Sequence, residues 1–157
     1  IQSLERDYKH YYFIIRGEKM EQVKLGNGHV YDLVTNGVLE SNEKLNLVFL
    51  PGDKTFEQIE ADFLNEANVE RIYILDSIGS PMQIFVGYSQ YTGMEKKLNY
   101  EISSQQVNMG TEDFPEYETV TNMGTAMILT LSKPDLQKKV KDLEEAVEFL
   151  VLSQLGA

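Results

Sequence analysis

The sequence has no cysteine, no tryptophan, two histidines and four prolines in 157 residues. Without thiols there is no disulfide framework, no thiolate nucleophile and no cysteine-built zinc or iron–sulfur centre. The two histidines, His10 and His29, leave little from which to build a base that titrates near neutrality. Neither stands in a His-Glu-x-x-His spacing, and no serine sits in a Gly-x-Ser-x-Gly elbow. Gly26-Asn27-Gly28 lacks the following helix and the Gly-Lys-Ser/Thr ending of a phosphate loop, so it reads as a hairpin turn. Long apolar runs are missing too. Tyrosine apart, none exceeds four residues, as at Phe149–Leu152, against the roughly 18 that a membrane span needs. Positive charge is scarce: 14 Lys and Arg face 25 Asp and Glu, a formal net charge of -11. That balance disfavours a nucleic-acid backbone or an anionic membrane surface as partner.

What is present suffices for a fold. Leu, Ile, Val and Phe number 46 of 157 residues, about 29%, well above the level at which charged chains stay disordered. The length suits one compact domain with a small appendage. Tyr8 to Ile15 (YKHYYFII) has strand character. Arg16-Gly17-Glu18-Lys19 directly before Met20 is also what a translated ribosome-binding site would give, so residues 1–19 are read as an N-terminal segment that is either an over-annotated leader, with the start at Met20, or a genuine N-terminal strand or helix.

From Met20 the pattern is that of a meander. Alternation over Glu21–Leu25 and His29–Val34 around Gly26-Asn27-Gly28 predicts a hairpin, and Asn36-Gly37 predicts a second tight turn. Leu45–Leu50 (LNLVFL) predicts a strand stopped by Pro51-Gly52. Thr55 and Gln58 form a capping-box pair, and Phe56, Ile59 and Phe63 recur at helical spacing, so a helix is expected over 55–66. Arg71–Leu75 and Met82–Tyr88 read as a further hairpin. Leu98, Tyr100 and Ile102 alternate with polar residues as a half-exposed strand does. Residues 107–116 read as an exposed loop, and Glu118–Asn122 and Ala126–Leu131 as two strands around Met123-Gly124. The expected fold class is α+β: an antiparallel, meander-like sheet within 20–132, one short crossing helix, and a long C-terminal amphipathic helix within 133–157. Phe56, Ile59, Phe63, Ile72, Ile74, Ile84, Val86 and Leu129 are the expected core.

The C-terminal helix is expected to start from Ser132, Pro134 and Asp135. Leu136, Val140, Leu143, Val147 and Leu150 then follow at spacings of 4, 3, 4 and 3, a heptad seam with Val at a and Leu at d. Two readings stand side by side: a helix packed on its own sheet, and a helix through which copies self-associate. Tyr88, Tyr91 and Tyr100, with Phe85, supply a second candidate, an aromatic platform for a sugar ring. Glu112, Asp113, Glu116 and Glu118 are the densest acidic cluster, but they lack the ordered spacing of a calcium loop and read as solvated. No catalytic residue, cofactor site or metal ligand is assigned.

One resemblance covers most of the chain from about Met20. It rests on Leu50-Pro51-Gly52-Asp53, the helix Thr55 to Ala61, the strand-turn-strand Ile72 to Tyr88 with Asp76-Ser77 and Gly87-Tyr88, and Thr130-Leu131-Ser132-Lys133-Pro134 leading into the acidic helix. In this order the chain resembles small uncharacterised proteins of the tail and lysis gene region of tailed bacteriophages and prophages of Gram-positive bacteria. The resemblance implies a non-enzymatic structural or assembly role in the virion, or in the host cytoplasm during assembly. Its partners would be other phage tail or assembly proteins, or further copies of the chain. The alternative is a small carbohydrate- or cell-surface-binding module.

Overall fold

A computed structural model describes residues 20–156. The strand expected over residues 8–15, the leader reading of 1–19 and His10 lie outside them.

The elements run β1 (Gln22–Lys24), β2 (Val30–Ser41), β3 (Lys44–Phe49), α1 (Phe56–Leu64), α2 (Glu66–Val69), β4 (Arg71–Leu75), β5 (Pro81–Val86), β6 (Gln90–Asn108), β7 (Tyr117–Ser132) and α3 (Leu136–Leu155). The fold is α+β, with one seven-stranded sheet in the order β5-β4-β1-β2-β3-β7-β6 and antiparallel pairing throughout.

Alternation in β3 sends Leu45, Leu47 and Phe49 to one face, where all are fully buried. α1 closes that face. Its first turn is fastened by the expected capping box, in which Gln58 N donates to Thr55 Oγ1 and Thr55 N to Gln58 Oε1. Ile59 and Phe63 point from it into the core, and the Phe63 ring stands 5.4 Å from Phe49 and 5.7 Å from Tyr31. Phe56 is only partly buried at the rim. A smaller cluster, Val34, Ile102 and Ala126 with Tyr100 against it, is separate from this main core.

Four local expectations are corrected. Asn36-Gly37 is no hairpin turn but a bulge within β2, where the register shifts between Leu33 and Val38. Asn36 takes φ 57°, and a Cβ on Gly37 would collide with the Val48 carbonyl oxygen, so only glycine lets the bulge seat on β3. The turn lies instead at Asn42 and Glu43, both with positive φ, between paired Ser41 and Lys44.

Met123-Gly124 does not break β7, which continues through it opposite Tyr100 and Glu101; the side chain of Ile102 lies over Gly124. β6 and β7 therefore form one long hairpin. From Ser103↔Asn122 to Asn108↔Tyr117 these strands pair only with each other, an arm tipped by Met109 and Phe114.

Ile84 and Val86 are not core. They are 53% and 55% exposed, and the buried residue of β5 is Phe85. β5 is an edge strand with one covered face, and a one-residue difference in parity exchanges its faces.

The cap of α3 is Asp135, whose carboxylate accepts from Lys138 N at 3.2 Å. Ser132 still belongs to β7, and Lys133 N is tied to the Glu43 carbonyl, so the chain cannot turn into a helix before Asp135.

Candidate functional site

α3 is the feature that stands out. It is 20 residues long and none of its residues is buried. Leu136, Val140, Leu143, Val147 and Leu150, the expected seam, are all exposed, Leu143 to 66% and Leu150 to 62%. Phe149, Val151, Leu152 and Leu155 extend the apolar surface around the last turns. Among the described residues the helix buries no side chain against its own sheet. A helix of this length is marginal alone in water, and an apolar stripe is where its stabilising contact would form. No described helix is long and apolar enough to cross a membrane.

The three tyrosines of the expected platform do not share one exposed surface. Tyr88 is only 3% exposed; its ring lies edge-on to buried Phe85, its hydroxyl donates to Glu40, and Lys133 Nζ stands 5.1 Å from its ring centre. Tyr91 is partly buried against the main core and donates to Glu60 Oε2 at 2.8 Å. Tyr100 packs on the second cluster. Burial first, and the neighbouring carboxylate second, push the Tyr88 and Tyr91 hydroxyls up to about 12. A sugar platform would need free faces, and Tyr88 and Phe85 offer none.

The sequence reading missed a polar cluster beneath α1. Asp62 Oδ2 accepts the Tyr31 hydroxyl at 2.5 Å and lies 2.7 Å from His29 Nδ1 and 3.5 Å from Lys54 Nζ. Its Oδ1 accepts from Asn27 Nδ2 at 3.2 Å. Burial is the largest single influence on Asp62 and opposes its ionisation. The Tyr31 and His29 hydrogen bonds, with the charges of His29 and Lys54, outweigh it and hold the carboxyl below its usual range. Burial, then Asp62, raises the Tyr31 hydroxyl.

A histidine held at Nδ1 by a carboxylate has the look of a catalytic dyad. Here, among the described residues, the side-chain partners of His29 are Asn27 and Asp62, and the one hydroxyl in the group, that of Tyr31, donates to the Asp62 carboxylate and not to the imidazole. The Asp62 carbonyl also accepts from buried Asn68, so the cluster fastens α1 and α2 to the β1–β2 hairpin. No residue of it is local to another in sequence except Asn27, His29 and Tyr31, and no pattern could have announced it.

Glu112, Asp113, Glu116 and Glu118 are exposed around the arm tip, where the backbone is held by Asn108 and Thr111. Among the described residues no group of three or more His, Asp or Glu is placed to hold a metal ion. Compared with family models, with curated proteins and with solved structures, the chain finds no match.

Proposed function

We propose that this chain is a non-enzymatic structural or assembly subunit of a bacteriophage tail that works by protein–protein contact. The observation that carries the reading is α3: a 20-residue helix with an apolar face and no buried residue. Such a surface on a single chain marks an interaction site. The β6–β7 arm supports it, since it carries Phe114, 81% exposed, on a two-stranded extension. The assignment to a phage tail rests on the sequence resemblance, and it puts the chain in the virion or in the host cytoplasm during assembly. The carbohydrate alternative is the weaker, because Tyr88 is buried and tied to Glu40.

The test is the particle. Virions purified from the phage or prophage that carries the gene should contain the chain together with tail proteins, and antibody should label the tail. Particles free of the chain, from a gene with no phage-like neighbours, would overturn the reading.

A further inference from the structure

We propose that α3 pairs with α3 of a second copy of this chain, two strands side by side and parallel. The inference rests on the reading of α3 as a docking element and names its partner.

The seam supplies the first argument. Val140 and Val147 occupy a, Leu136, Leu143 and Leu150 occupy d, and all five are exposed. β-Branched residues at a with leucine at d favour two parallel strands. The next a position is Gln154. In a parallel pair it meets Gln154 of the second copy, polar against polar; in an antiparallel pair it would meet Leu136.

Charge supplies the second argument. Lys139 falls at g and Glu144 at the following e, so a parallel pair sets each Lys139 beside Glu144 of the other copy, with Ala146 beside Val151 one heptad on. An antiparallel pair in the same seam would set Glu144 against Glu144. Lys138, Lys141, Asp142, Glu145 and Glu148 fall at f, b, c, f and b, on the side turned away from the seam. Flanking charges that attract in one orientation and repel in the other select the orientation.

The experiment uses the full chain. At about 1 mM sedimentation should give a mass well above the 18.0 kDa monomer, rising with concentration towards twice that value and no further. Glu144→Lys turns each attractive flanking contact with Lys139 into a repulsive one and should weaken association on the order of tenfold. Lys139→Glu combined with Glu144→Lys should restore it, because only a parallel pair regains its two attractive contacts; an antiparallel pair would still oppose two like charges, both now positive, across the seam.

The chain has no cysteine, so Gln154→Cys introduces a single thiol, and oxidation should give a covalent dimer of unchanged sheet signal. A wild type that stays monomeric would overturn the pairing and leave α3 to another tail protein or to another segment of the same chain. A dimer not rescued by the charge exchange would overturn the parallel orientation, and a larger mass would overturn two strands. A monomer that is nonetheless found in tails would sink this inference alone. A dimer absent from particles would sink the tail reading alone.

Discussion

Tyr31 donates its hydroxyl to Asp62 Oδ2 at 2.5 Å, and this bond joins strand β2 to the side of helix α1 next to the core ring of Phe63. Tyr31 is 4% exposed, so its hydroxyl has no ready replacement partner in water. Asp62→Ala should therefore cost about 1–3 kcal/mol in urea unfolding, the penalty of leaving a buried donor unpaired.

The same carboxylate sets an acid limit. Its folded pKa lies below the ordinary 3.8, so the folded state holds the charged form more firmly than the unfolded chain does. The stabilisation is present in full above the unfolded value and is lost as pH falls through the lower folded one. Asp62→Asn should flatten that part of the pH–stability curve. A wild-type curve equally steep in the variant would assign the acid limit to other carboxylates.

Tyr88 and Tyr91 make the matching prediction at the alkaline end. Their hydroxyls are pushed from 10.0 up to about 12, so the folded state keeps protons that the unfolded chain releases. Their contribution is whole below pH 10 and declines as pH rises towards 12. Tyrosinate absorbance should show these two rings ionising after the exposed ones. Glu40→Gln should bring Tyr88 down while leaving Tyr91 where it is.

The parity of β5 can be read by mutation. Phe85→Ala empties a buried site against Tyr88 and should cost about 3–5 kcal/mol. Ile84→Ala, on the outer face, should stay within about 0.5 kcal/mol. Equal losses at the two positions would mean that both faces of β5 are covered in solution.

The elements visible in the sequence were those whose signals are local. Thr55 and Gln58 cap α1 three residues apart, Ile59 and Phe63 mark its inner face, and the α3 seam repeats within one helix. β5 was ambiguous because Met82, Ile84, Phe85 and Val86 are apolar on both faces of an edge strand, and only packing decides which face is covered. Asn36-Gly37 carries a turn signal that a bulge uses equally well, since both need a residue at positive φ. The Asp62 cluster was invisible for a different reason. The bonds that reach Asp62 from Asn27, His29 and Tyr31 span 31 to 35 positions, and none of these residue types is unusual where it stands.

The separation of α3 from the sheet gives the last prediction. Leu143 and Leu150 touch no core, so replacing both by Asp removes no packing from the body. The unfolding temperature of the sheet should move by less than about 2 °C, as for substitutions at exposed positions. In the seam the same two charges would be buried against apolar side chains, so association should collapse. The helical circular dichroism of the wild type should therefore rise with protein concentration, because partner contact stabilises a helix that is marginal alone. In the double variant that dependence should vanish while the sheet signal stays constant. A variant whose sheet melts several degrees lower would place α3 against its own body in solution, with Leu143 and Leu150 in that contact.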